Sequence, residues 1–121
     1  MDIDKPKHVL ALIEDEPLAR VPVALGLTTL GYEVISAAAG PEAVDVLGDP
    51  RVELAIVDMR LPGRLNGVGV VREARRHHPH LKVILTSGMQ PDEDISEIGI
   101  FLLKPFSVAQ LHELIARLLT A

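Results

Sequence analysis

Leu54-Ala55-Ile56-Val57-Asp58-Met59-Arg60-Leu61-Pro62-Gly63-Arg64-Leu65-Asn66-Gly67 decides how this chain is read. Four apolar residues deliver a carboxylate, and a loop rich in breakers follows at once. A short unbroken apolar run fits a strand buried on both faces, and open α/β sheets bind their ligands just outside the carboxyl ends of such strands. Three other runs end in the same manner. Val9–Ile13 leads into Glu14-Asp15-Glu16, Lys82–Leu85 into Thr86-Ser87-Gly88, and Ile100–Leu103 into Lys104-Pro105. Acids, hydroxyls and a lysine at four strand ends make one polar constellation.

Amphipathic stretches separate these runs, which predicts βα units and a doubly wound parallel sheet of class α/β. The spacing gives strand 8–13, helix 18–31, strand 32–37, helix 41–48, strand 53–57, helix 66–78, strand 82–87, helix 91–98, strand 100–103 and helix 107–119. Pro41 and Pro91 stand where the first turn of a helix tolerates a missing N–H. Gly31, Gly48 and Gly99 stand where helices should stop. Ser107 and Gln110 form a capping box, and Leu111, Leu114, Ile115 and Leu118 make an apolar stripe behind it. Two places fit poorly. Pro22 lies deep in the first helix, which predicts a late start or a distorted turn there. The helix at 91–98 is short.

The whole chain, 1–121, reads as a single domain, 48% apolar and only 2% aromatic, so Val, Leu, Ile and Ala must build the core. The formal charge of −5 favours solubility, and no basic stripe offers a footprint for nucleic acid. The absence of cysteine excludes disulfides and thiol chemistry. No apolar run is long enough to span a bilayer. The opening Met1-Asp2-Ile3-Asp4-Lys5 has acids where a secretory signal has bases, so the expected setting is cytoplasmic.

Three carboxylates, Glu14, Asp15 and Asp58, converge if the first and third strands are neighbours. Like charges so placed need raised pKa values or a cation, and Mg²⁺ suits a few carboxylates with water and a phosphate oxygen. The plain alternative is three solvated loop acids, and the other strand ends weigh against it. Ser87 or Thr86 supplies a hydroxyl, although such residues are commonly turn formers. Lys104 points a compact cation at the acids.

The pattern Ile13-Glu14-Asp15-Glu16-Pro17, Val57-Asp58-Met59-Arg60-Leu61-Pro62, Ser87-Gly88 and Lys104-Pro105-Phe106 resembles the receiver domain of two-component response regulators, over nearly the whole chain. The resemblance implies a flavodoxin-like sheet of five strands in the order 2-1-3-4-5 with five helices. It implies that Asp58 takes a phosphoryl group from a sensor histidine kinase or phosphotransfer protein. Asp15, Asp58 and the backbone carbonyl of Arg60 would bind Mg²⁺, with Glu14 acting through water. Lys104 would pair with the phosphoryl oxygens, Ser87 would reorient towards them, and Phe101 would turn inward. The switched surface is expected along the fourth helix, fifth strand and fifth helix. A homodimer is allowed, and neither direct nucleic-acid binding nor a membrane is expected. The chain would be a phosphoacceptor and not an enzyme beyond its own phosphorylation and dephosphorylation.

There are departures from that pattern. Glu14 stands where Asp is commoner, Arg60 is a cation two residues from the acceptor, and the loop after Asp58 is one residue longer, at Gly63-Arg64-Leu65. The segment from Ser87 to Lys104 is short, which puts the output face furthest from the family's pattern.

Arg72, Arg75, Arg76, His77, His78 and His80 read as cations at a helix C-terminus. Neither Gly-x-x-x-x-Gly-Lys, Gly-x-Gly-x-x-Gly nor Gly-x-Ser-x-Gly occurs, and the Gly-rich stretch from Gly63 to Gly69 belongs to the acidic site and reads as turn geometry. Two rivals remain. A Mg²⁺-dependent phosphatase, with Asp58 or Asp15 as nucleophile, would need a second acid two residues after it and a substrate-covering cap, but position 60 is Arg and no cap is expected. A receiver-like interaction module would work without phosphorylation.

Overall fold

The computed structural model describes residues 7–120, and the N-terminal reading over Met1–Lys5 lies outside them. In chain order the elements are β1 (Val9–Ile13), α1 (Pro17–Thr29), β2 (Glu33–Ala37), α2 (Gly40–Leu47), β3 (Leu54–Asp58), α3 (Gly67–Arg75), β4 (Lys82–Ser87), β5 (Ile100–Leu103) and α4 (Val108–Thr120). All pairings are parallel and the strand order is β2-β1-β3-β4-β5. This is the predicted flavodoxin-like sheet.

Both faces of β1 and β3 are buried, which is why these strands read as continuous apolar runs. Alternate residues divide between two layers. Ala11, Ile13, Ala55, Val57, Val83 and Leu85 pack with Ala43 and Leu47 of α2 and Val70, Val71 and Ala74 of α3. Leu10, Leu12, Leu54, Ile56 and Ile84 pack on the other side with Leu27 of α1 and Leu111 and Ile115 of α4. Tyr32 ties these last two helices together, its hydroxyl 3.0 Å from Nδ1 of His112.

Two expectations fail. The helix expected at 91–98 does not form, so among the described residues four helices flank the sheet instead of five. Its residues make only a turn, with the N–H groups of Ile98 and Gly99 donating to the Ile95 carbonyl at 2.9 and 3.1 Å. The reason is local competition together with a weak apolar face. Asp94 Oδ1 accepts the Ser96 N–H at 2.9 Å, and Ile95 is the one residue of this segment that is buried. Eight residues with so little to bury cannot offset the cost of nucleating a helix. The late start offered for the first helix also fails, which leaves the other alternative, an irregular turn at Pro22. Pro17 occupies the first turn, and Pro22 lies inside the helix, at the cost of one backbone hydrogen bond to the Leu18 carbonyl.

The caps follow the sequence more closely. The Ser107 hydroxyl accepts the Gln110 N–H at 3.0 Å, and Gln110 Oε1 accepts the Ser107 N–H at 2.8 Å. Asn66 caps α3 by accepting the Gly69 N–H at 2.9 Å. Among the described residues, no helix is long and apolar enough to cross a membrane.

Candidate functional site

The register of the sheet assembles the site. Ile13 pairs with Val57, Asp58 with Thr86, and Ser87 with Leu103. The next residue along each strand therefore emerges at the same edge, so Glu14, Asp58, Ser87 and Lys104 meet at one end of the sheet. Asp58 sits on the central strand with neighbours on either side.

Lys104 is the hub of the charges. Its Nζ donates to Glu14 Oε1 at 2.6 Å and to Asp58 Oδ2 at 2.8 Å. Both carboxylates are nearly buried, with side chains 7% and 8% exposed, while the lysine side chain is 29% exposed. The second Asp58 oxygen, Oδ1, accepts the backbone N–H of Arg60 at 2.8 Å. Burial is the main influence on Glu14 and raises its pKa; the Lys104 bond pulls the other way, and the Asp58 carboxylate adds to the rise. Burial alone would lower the Lys104 pKa, but the bonds to Asp58 and Glu14 outweigh it and push the value up. The ammonium is thus held charged between two acids.

Asp15 is partly exposed and completes an acidic group. Glu14, Asp15 and Asp58 each offer an oxygen within 4.8 Å of the others. With one lysine against three acids, the group is left with excess negative charge. Hard carboxylate oxygens at this spacing are a donor set for a small divalent cation.

Ser87 stands at the same end of the sheet, and Phe101 lies further back along β5, paired in register with Leu85. The Ser87 hydroxyl accepts the Met89 N–H at 3.2 Å and so folds into its own turn. Phe101 is partly buried against the core layer of α2 and α3. Arg60 lies at the rim, where its guanidinium donates to Met89 Sδ at 3.0 Å.

Of two supporting residues, Arg20 had no place in the sequence reading of the site, and Gly67 belongs to the Gly-rich stretch read there as turn geometry. Arg20 donates to the backbone carbonyls of Glu14 at 2.6 Å and Asp15 at 3.3 Å, and so fastens the acidic loop to α1. Its position within the second turn of the helix, pointing back over the N-terminus, was the available signal. Gly67 meets the backbone after Asp58: a Cβ there would lie 2.1 Å from the Asp58 carbonyl oxygen. Its N–H donates to the Met59 carbonyl at 3.1 Å and closes the loop.

A family model described as the response regulator receiver domain matches residues 10–116. The chain belongs to this family. The receiver is similar to the sensor kinase CckA of Brucella abortus, 32% identical over 115 residues that make up 89% of this chain and 12% of the kinase. It is also similar to a probable transcriptional regulator, ycf27, of Cyanidium caldarium, 31% identical over 96% of this chain and 48% of the regulator. The receiver thus spans about half, or much less, of these curated relatives. Among solved structures it resembles the receiver domain of a Pseudomonas aeruginosa sensor histidine kinase that has a magnesium ion coordinated in the active-site cleft. That likeness has a TM-score of 0.83 and 28% identity, and covers 96% of this chain and 100% of the other. The response regulator TrrA of Thermotoga maritima, solved in complex with Mg²⁺ and BeF, matches with a TM-score of 0.81 and 26% identity, over 92% of this chain and 98% of that one.

Proposed function

We propose that Asp58 accepts a phosphoryl group from the phosphohistidine of a sensor histidine kinase or phosphotransfer protein. The observation that carries this reading is a buried carboxylate on the central strand, hydrogen-bonded to Lys104 and ringed by further acids. The receiver is then a stoichiometric acceptor and not a turnover enzyme.

In the transfer a carboxylate oxygen of Asp58 attacks phosphorus, the P–N bond to the donor imidazole breaks, and an acyl phosphate forms. The chemistry is mainly positioning and charge neutralisation. Mg²⁺, held by Asp15, Asp58 and the Arg60 carbonyl and by Glu14 through water, would offset the charge of the incoming group. The Arg60 N–H holds Asp58 in place through Oδ1. Lys104 keeps its proton and its cation, and exchanges Asp58 for the phosphoryl oxygens. Ser87 gives up its bond from the Met89 N–H and donates its own hydroxyl to the phosphoryl group. Phe101 packs inward behind it, and the change is read on β5 and α4 as a population shift. The segment 88–99 forms no helix, so that readout surface lacks one of the elements expected from sequence.

Intact-mass spectrometry after incubation with acetyl phosphate and Mg²⁺ tests the proposal. One added phosphoryl group, lost in Asp58→Asn and lost without Mg²⁺, is the expected result. No gain from acetyl phosphate or from a phosphorylated kinase would overturn it and favour an interaction module that works without phosphorylation.

A further inference from the structure

Thr86 is the polar residue beside the acceptor that phosphoryl transfer leaves unused. It pairs with Asp58 across the sheet and is only 3% exposed. Strand alternation turns it to the side of Ile84, which packs with α1 and α4. Its hydroxyl makes no hydrogen bond to another protein group among the described residues. Every side-chain oxygen or nitrogen sealed in the interior of the described chain has a partner, so this oxygen is not sealed. What Thr86 borders is a cavity of about 260 Å³, enclosed by the sheet end, the N-terminal half of α1 and the loop after β5. Leu12 and Ile56, Ala19 and Val23, and Phe106 give that cavity apolar walls. A hydroxyl set into such walls is costly unless something bonds it, and valine would fill the same shape without that cost.

We infer that this cavity binds a small neutral ring molecule carrying one hydroxyl, of which phenol is the simplest. Size, charge and hydrogen bonding each select that class. A cavity of about 150 Å³ with apolar walls already admits benzene, so this one has room for a ring and a substituent. Glu14 and Lys104 are the only charged residues on its walls, and they are bonded to one another at 2.6 Å. An ionic ligand would leave water to meet a pair that is already matched, and the apolar walls would not repay its lost hydration. Thr86 offers one O–H donor and the lone pairs of its oxygen, which a ring hydroxyl complements in either sense. The Phe106 ring gives the ligand an aromatic wall to stack on or meet edge-on.

The cavity is separate from the acceptor cleft, although the two share a wall. Asp15 and Asp58 do not line it, and neither a metal nor a phosphoryl group is needed to fill it. The inference therefore goes beyond phosphoryl transfer and stands independently of it.

Methyl-resolved NMR of the full chain during a titration with phenol tests the site. The methyl signals of Leu12, Val23 and Ile56 should shift and saturate, with NOEs from the ring protons to them and to Phe106. Benzoate and benzylammonium, charged molecules of similar size, should bind about tenfold more weakly or worse. Thr86→Val keeps the shape and removes the hydroxyl, so it should weaken phenol by about fivefold and leave toluene unchanged. Ala19→Leu, which fills the cavity from α1, should block phenol and toluene alike. Far-UV circular dichroism checks that each variant is folded. The inference is overturned if no saturable shift appears up to the solubility of phenol, or if Thr86→Val binds phenol as the wild type does. Equal binding of benzoate would overturn the neutral class. Crystals soaked in phenol that show only an ordered water on Thr86 would overturn the site itself.

Discussion

Replacing Glu14 by Gln should stabilise the metal-free receiver. Lys104 Nζ stands 2.6 Å from Glu14 Oε1, an attraction of about 6 kcal/mol at an effective dielectric constant near 20. Against it, Asp58 and Asp15 offer oxygens within 4.8 Å, and on the same scale each repels Glu14 by about 3.5 kcal/mol. Attraction and repulsion nearly cancel, so burial decides. Glu14 is 5% exposed, where holding a charge costs several kcal/mol and a neutral amide about 1–3 kcal/mol. Gln keeps an oxygen for Lys104 and turns its amide N–H to the neighbouring carboxylates. We expect a gain of ~1–2 kcal/mol at pH 7 in chelator, at the low end of the range for replacing buried ionic groups, because Lys104 keeps Asp58 as its counter-ion and is not left unpaired; urea unfolding measures it. With no Trp and one Tyr in the chain, far-UV circular dichroism is the suitable signal. The pH dependence follows from the sign of the shift. Burial raises the Glu14 pKa in the folded chain, opposed by Lys104 and aided by Asp58, so between the unfolded and folded values the folded chain holds more protons. The penalty in the wild type is therefore full above the folded pKa and is relieved as pH falls towards the unfolded value. The gap between variant and wild type should narrow on acidification. A variant less stable than the wild type at pH 7, or a gap that widens as pH falls, would refute the reasoning.

Gly67→Ala should destabilise by about 2 kcal/mol or more, since the new Cβ meets the backbone of Asp58 and Met59 and no flexible side chain can give way. The same displacement should slow phosphoryl uptake in the mass assay, and wild-type uptake would count against the steric account. Asn66→Ala removes the cap of α3 and should cost ~1 kcal/mol in urea while leaving uptake unchanged. Arg60→Asn frees Met89 and opens the rim beside Asp58, so the phosphorylated state should decay several-fold faster. An unchanged decay by intact mass would remove Arg60 from the account of lifetime.

The sheet was legible because β1, β3 and β4 are buried on both faces, which leaves unbroken apolar runs that end on polar residues. The acidic cluster and Lys104 were legible for the same reason: parallel register turns strand ends into neighbours. The segment 91–98 was misread because Pro91 and Gly99 mimic helix boundaries, while Asp94 and Ser96 satisfy each other locally. The late start offered at Pro22 was misjudged because tertiary packing of Val23, Ala24 and Leu27 outweighs one lost hydrogen bond. Arg20 was missed as a site residue, and Gly67 was read only as turn geometry beside the acids, because their importance lies in backbone that only the folded chain brings near them. The state of the Ser87 hydroxyl depends on the turn that follows it, and no residue pattern reports that.

The Gly67 N–H bond to the Met59 carbonyl makes the seven residues between them a loop tied off at its neck. Pro62, Gly63 and Arg64 stand exposed on that loop, with Gly63 turning at φ 95°. Arg60, whose N–H holds the acceptor, is the first residue of that loop, and added length at Pro62, Gly63 and Arg64 is spent outward beyond it. The receiver can therefore take up changes of length and charge at these three exposed positions while Asp58 stays where the sheet sets it.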